Sequence, residues 1–187
     1  FLLAIIDNLL RLSTIQAGER EFRSEPVALN DILPECIGKI EMGSRNGNIA
    51  VRWELSEQLP EFLSDRQALS QIINNIFANA VKFSRAGGTI SIRSWKDGDR
   101  LGFTIEDTGI GIPQDEIRLI TDPFYRVGAN PHIAQAEGAG LGLSVVKALV
   151  DSLAGKLSID SEPGSGTSVT VSFPATGIDV PRRTNPD

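Results

Sequence analysis

Asn75, Asn79 and Lys82 recur along one apolar stretch of this chain, "DRQALSQIINNIFANAVKFS". In a helix, residues four and three positions apart stand on one face. Leu69, Ile72, Ile73, Ile76, Ala80 and Phe83 fall on a neighbouring face, as a core helix requires. A solvated face more often carries Glu, Lys and Arg than two asparagines, which are middling-to-poor helix formers. Two readings therefore stand side by side. The stripe is ordinary surface, or an asparagine oxygen is a hard ligand for Mg²⁺ and Lys82 meets phosphate as a point charge.

A second candidate lies in "LGFTIEDTGIGIP", where Leu101, Phe103 and Ile105 share one face of a strand and the same parity continues to Asp107. A carboxylate thus sits where a core face ends. Buried without a partner it would cost several kcal/mol, so a donor must meet it. That donor is either its own backbone, in a capping turn over "DTG", or an exocyclic amine such as that of adenine. A guanine carbonyl in the same place would leave the carboxylate unsatisfied, a loss of about 1–3 kcal/mol. On the second reading Gly109 and Gly111 let a base approach the backbone, and Pro113 opens the next helix.

The third candidate is "EGAGLGLSVVKALVDSLAGK", with glycines at every second position, Gly138, Gly140 and Gly142, before an apolar helix pattern. Gly155 reads as the left-handed stop after that helix. The leading glycines are either turn residues or a phosphate cradle, because a helix start offers unpaired N–H groups and the positive end of a dipole.

The elements that must position these residues follow from patterning. Apolar residues at 2, 5, 6, 9, 12 and 15 predict a first helix ending near Gly18. Its apolar stripe has no obvious cover nearby, which favours half of a helix pair whose partners lie elsewhere, with weak self-association through Leu2, Ile5, Leu9 and Leu12. A helix over 30–42, a strand around "IAVRWEL" and the long asparagine-bearing helix come next. "TISIRSWKDGDRLGFTIED" and "KLSIDSEPGSGTSVTVSF" read as β-hairpins, the first turning at Asp97-Gly98. Between them "DPFYRVGANPHIAQAEGAG" exceeds an ordinary connection and suits a lid. The tail from 175 lacks periodicity and reads as disordered.

Composition narrows the function classes. The chain has 187 residues, 41% of them hydrophobic and 22% charged, enough for one packed domain plus an appendage. A net charge of −6 argues against a nucleic-acid binder. The single cysteine, Cys36, forms no internal disulfide and fits a buried thiol in a reducing compartment. "FLLAIIDNLLRLSTIQAGE" is broken by Asp7 and Asn8 and is neither signal peptide nor membrane span. It reads instead as a cut through a helix of a longer chain.

In order, "NNIFANAVKFS", "DTGIGIP", "DPFYRV", "GAGLGL" and "GSGT" resemble the N, first glycine, F, second glycine and third glycine boxes of the ATP-binding domain of sensor histidine kinases, within the GHKL superfamily. The resemblance covers 26 to about 174. Residues 1–25 look like the second helix of the dimerisation and phosphoacceptor hairpin with its linker, and 175–187 is the tail. The resemblance implies an α+β fold: a two-layer α/β sandwich of Bergerat type, a mixed sheet with helices on one face, preceded by a helical stub. It implies ATP and Mg²⁺ as ligands, with Asn79 on the metal and Asn75, Lys82 and Arg126 in catalytic contact with metal or phosphates. Asp107 would read the adenine amine and Thr167 would help through an ordered water. Gly109, Gly111, Ile112, Tyr125, Gly138, Gly140, Leu141, Gly142 and Leu143 would complete the nucleotide site.

By the same resemblance the reaction moves the γ-phosphoryl of ATP to a histidine and on to a response-regulator receiver aspartate. It implies a cytoplasmic setting and a homodimeric parent, with the parent's membrane anchorage left open. The usual phosphoacceptor is missing, since His132 lies in the lid stretch "ANPHIAQ". The fragment should therefore bind ATP without phosphorylating itself at the family's usual site. Ile120 in place of an aromatic, and Ala139 in place of a hydroxyl residue, depart mildly from the pattern. Two rivals remain: a signalling pseudokinase that holds ATP without transfer, and another GHKL ATPase. ATPases that activate water usually place a glutamate where this chain has Asn75, and an amide cannot serve as that base.

Overall fold

The computed structural model describes residues 2–43, 49–127 and 139–177. Over them the chain runs α1 (Leu2–Gln16), β1 (Glu25–Val27), α2 (Leu29–Gly43), β2 (Ala50–Glu54), β3 (Phe62–Ser64), α3 (Arg66–Phe83), β4 (Thr89–Asp97), β5 (Arg100–Asp107), α4 (Gly142–Ser152), β6 (Lys156–Glu162) and β7 (Gly166–Pro174). The architecture is α+β, a mixed five-stranded sheet in the order β2-β4-β5-β7-β6 with helices against it. Only β2 and β4 run parallel; the remaining pairs are antiparallel.

Period-two alternation decides which face of the sheet is covered. Ile90 and Ile92 of β4, Leu101, Phe103 and Ile105 of β5, and Val169, Val171 and Phe173 of β7 are buried in one core with Leu69, Ile72, Ile73 and Ile76 of α3 and Val145, Val146 and Leu149 of α4. Residues of opposite parity carry polar cross-strand pairs: Arg93 with Glu106 at 3.2 Å, and Trp95 Nε1 donating to Thr104 Oγ1 at 3.2 Å. The two hairpins form as the alternation predicts, although the first turns at Gly98-Asp99, one residue beyond the expected position, because Asp97 pairs with Arg100 as the last rung. Sequence reading missed a two-stranded sheet of β1 and β3, in which Val27 pairs with Phe62. Phe62 stacks on Phe173 at 5.6 Å between ring centroids, which ties this small sheet to the main core.

Helix ends are defined by identifiable contacts. Asp65 is the N-cap of α3, accepting the Ala68 N–H at 2.7 Å, a contact typically worth about 1 kcal/mol. Its other carboxylate oxygen accepts the Arg23 N–H at 2.7 Å, so one buried side chain also anchors the segment that follows α1. The stop after α4 differs from the expected one. Ala154 takes the left-handed conformation at φ +52°, while the Gly155 N–H donates to Val150 O at 2.8 Å and the Ala154 N–H to Asp151 O at 3.1 Å. These two bonds are the Schellman pair, with Gly155 one position later than its composition suggested. Gly155 is small for another reason: a Cβ there would lie 2.8 Å from Val150 and 2.9 Å from the Phe173 ring.

The apolar stripe of α1 divides. Leu12 and Ile15 are buried, where α1 lies against α4, while Ile6, Leu9 and Leu10 remain 43%, 44% and 59% exposed. The helix is thus partly covered by its own domain rather than left wholly to outside partners. The tail also begins in contact: Ala175 N–H donates to Asp99 O at 2.7 Å, against the expectation of disorder from 175. Residues 178–187 lie outside the described residues. Pro113 opens a run of turns, with Glu116 N–H donating to Pro113 O at 3.0 Å and Ile120 N–H to Glu116 O at 3.1 Å, and not the α-helix expected there. Among the described residues no helix is long and apolar enough to cross a membrane.

Candidate functional site

The core face of α3 packs against α2, α4 and β5, which leaves the asparagine stripe at the edge of the packed surface. Asn75 and Asn79 are half-buried there and Lys82 is exposed, its Nζ 4.8 Å from the centroid of the Phe83 ring. The first residue of α4 faces this stripe. A Cβ on Gly142 would lie 3.8 Å from Asn79 Nδ2 and 4.0 Å from Asn75 Oδ1. Among the described residues no side chain caps α4, whose N-cap residue is Leu141. The helix start therefore presents backbone N–H donors beside two amides, a combination suited to anionic oxygen.

At the other end, Asp107 closes β5. The residue is 7% exposed and its Oδ1 accepts the Gly109 N–H at 2.8 Å. Burial raises its pKa to about 6; the backbone N–H groups of Gly109 and Thr167 oppose the rise and the Glu106 charge adds to it. Asp107 caps its own turn, as the first reading has it, and also lines a cavity.

That cavity, of about 350 Å³, joins the two ends. Its walls include Asn79 and Lys82 from α3, Asp107, Gly111 and Ile112 after β5, Thr167 of β7, Tyr125 and Arg126, and Gly140 through Leu143 at the start of α4. Ile76, Ile105, Ile120, Ile159 and Val169 make apolar walls, a lining that fits a flat ring. Ile120, a departure from the family pattern, keeps the site apolar at 6% exposure. Of the expected residues, Asn75 and Gly109 do not line the cavity, although Asn75 stands beside Gly142. Gly138 and His132, with most of the expected lid, lie outside the described residues. Tyr125 turns its hydroxyl to Glu116 Oε2 at 2.9 Å, and that carboxylate raises its pKa.

The glycines after β5 are hemmed in by protein backbone. A Cβ on Gly109 would meet Phe83 O at 2.3 Å, and one on Gly111, at φ +69°, would meet Glu162 O at 1.9 Å. At both positions protein backbone approaches protein backbone too closely for a side chain, and Gly111 also lines the cavity. Gly164 N–H donating to Ile110 O at 2.7 Å completes that seam. Sequence reasoning also passed over Ser161, whose hydroxyl accepts the Ile112 N–H at 2.8 Å. The available signal was its parity on β6, directly across from Thr167.

The profile described as "Histidine kinase-, DNA gyrase B-, and HSP90-like ATPase" matches residues 64–177. A sensor-like histidine kinase of Rhizobium meliloti is 32% identical over 174 residues, which are 93% of this chain and 33% of that protein. The cell-division control histidine kinase PdhS of Brucella anthropi is 32% identical over 184 residues, 94% of this chain and 17% of that protein. Among solved structures, full-length ShkA in complex with AMPPNP is similar with a TM-score of 0.81 and 30% identity, over 97% of this chain and 37% of that one. The chain thus spans about a third or less of these curated relatives.

Proposed function

This chain belongs to the histidine kinase-, DNA gyrase B- and HSP90-like ATPase family, and on that premise we propose that it is the ATP-binding catalytic part of a sensor histidine kinase. The observation that carries the reading is the cavity with a buried carboxylate, Asp107, at one end and the open start of α4 beside Asn75 and Asn79 at the other. A purine amine meets Asp107, the ring lies between apolar walls, and the phosphates run toward the α4 N–H groups.

Lys82 and Arg126 line the phosphate end and supply positive charge, the kind of groups that phosphoryl transfer requires. The donor set also suits Mg²⁺. Among the described residues no three His, Cys, Asp or Glu side chains converge on a metal site. An ion that keeps its waters and takes phosphate oxygens needs only a supporting ligand, and the Asn79 amide fits that part. When bound, Mg²⁺ would neutralise phosphate charge; orienting the nucleotide falls to Asp107, Asn79 and the start of α4.

Asp107 is the only carboxylate lining the cavity among the described residues, and it stands at the base end. With Asn75 on α3, no acid is placed there to activate water, which favours transfer to a protein nucleophile over ATP hydrolysis. The sequence of α1 contains no histidine, so the acceptor comes from another segment or chain. We assign residues 1–25 to the second helix of a dimerisation hairpin and its linker, 26–174 to the catalytic domain and 175–187 to a tail. This domain is cytoplasmic, and the parent is a homodimer that passes phosphate to a receiver aspartate.

Calorimetric titration with Mg-ATP and Mg-GTP tests the site, repeated on Asp107→Asn. ATP binding that exceeds GTP binding by about tenfold or more, and is lost in the variant, is the expected result. Equal binding of both nucleotides, or an unaffected variant, would remove the adenine assignment.

A further inference from the structure

Ser161, near the end of β6, is 8% exposed and serves three partners with one hydroxyl. It accepts the Ile112 N–H at 2.8 Å, and its oxygen lies 2.7 Å from Gly166 O and 3.0 Å from Thr167 Oγ1. A serine hydroxyl has one proton and two acceptor sites. The Gly166 carbonyl can only accept, and it is the closer of the two oxygens, so the serine proton goes there. One acceptor site is taken by Ile112. The remaining site faces Thr167, which must then be the donor. Thr167 also has one proton, so once it points at Ser161 the hydroxyl can turn only lone pairs toward the cavity it lines.

We propose that Ser161 is a positioning residue that sets the polarity of Thr167, so that the polar end of the cavity presents acceptors alone, the Asp107 carboxylate and the Thr167 hydroxyl. A free threonine hydroxyl rotates and donates to a carbonyl as readily as it accepts from an amine. Held by Ser161, it cannot compensate a ring that carries a carbonyl where Asp107 needs a donor. The site then discriminates by two fixed acceptors instead of one. Ser161 acts through Thr167 and touches no ligand itself. This inference rests on the adenine-nucleotide reading and deepens it.

The test compares ATP with inosine triphosphate, whose ring bears a carbonyl in place of the amine, by calorimetry on the wild-type chain, Ser161→Ala, Thr167→Val and the double variant. Ser161→Ala is expected to narrow the ATP preference by about tenfold, the worth of one polar contact. Thr167→Val should narrow it similarly, and the double variant should narrow it no further than Thr167→Val. A merely structural serine would weaken both nucleotides by one factor and leave the ratio unchanged, which overturns the proposal. NMR on the nucleotide-free wild type reads the bond itself: a Thr167 hydroxyl proton in slow exchange with solvent is expected, and one in fast exchange overturns the assignment even if Ser161→Ala does not fold. A wild type that binds neither nucleotide refutes the adenine reading instead, and the NMR result then decides the hydroxyl's polarity by itself.

Discussion

A Cβ placed on Gly111 would lie 1.9 Å from the carbonyl oxygen of Glu162, so the loop after β5 meets the end of β6 backbone to backbone. Gly111 also holds φ +69°, a conformation that L side chains adopt only with strain. Gly111→Ala is therefore expected to lower stability by about 2–4 kcal/mol, because strain and overlap add. Gly98→Ala is the control: its φ is +56° but nothing lies within 4 Å of the added atom, so about 1 kcal/mol is expected. Thermal unfolding of both variants checks this, and equal losses would mean that the Gly111 contact is not close-packed.

The pKa of Asp107 gives a pH signature. A folded value of about 6 against 3.8 unfolded means the group favours the folded state most at low pH, and that contribution is lost as pH rises through 4 to 6. Asp107→Asn does not titrate, so its stability relative to wild type should rise over that window by on the order of 2–3 kcal/mol and then level off. Denaturant titrations at several pH values measure the difference. A flat difference would place Asp107 in a solvated setting.

Nucleotide binding should carry the opposite dependence. An amine donor favours the ionised carboxylate, so adenosine, which has no phosphate titrating in this window, should bind more weakly as pH falls below about 6. Calorimetry should also detect proton release on binding near that pH. Uptake of protons would contradict an amine at Asp107.

Asn79 on α3 and Asp107 at the end of β5 line one cavity, and the proposed function puts phosphate at the first and the base at the second, so their variants should separate. Asn79→Ala is expected to weaken Mg-ATP by tenfold or more, roughly the effect of one charge-assisted contact, while leaving adenosine affinity nearly unchanged. Asp107→Asn should weaken both ligands alike. The comparison fails if Asn79→Ala damages adenosine binding equally.

Ala154 holds the left-handed position after α4 at φ +52°, where glycine has no steric penalty. Ala154→Gly should stabilise the protein by about 0.5–1 kcal/mol without touching the cavity. A lower melting temperature would show that the Ala154 methyl makes packing contacts worth more than the backbone relief.

Much of the site was legible because its groups are carried by regular elements. The spacing of Asn75, Asn79 and Lys82 on α3, and the parity that brings Asp107 to the core face of β5, are consequences of helix and strand periods alone. The β1–β3 pairing was not legible, since three-residue strands such as "EPV" and "FLS" show no period and their partner is distant in sequence. Pro113 followed a helix-start rule, yet the chain beyond it makes turns that bring Ile120 into the cavity wall.

Residue order by itself determined the two hairpins, the core helix and most of the side chains that line the candidate site, because each depends on neighbours a few positions away. Only the tertiary structure decided what the glycines are for and which proton points where. Gly109 and Gly111 pack against Phe83 and Glu162, and in the proposed hydrogen-bond count Thr167 turns lone pairs to the cavity because its O–H donates to Ser161 across the β6–β7 ladder. Those relations are set by which backbones pack together and by a count of donors and acceptors at one buried point, and neither quantity exists until distant segments have met.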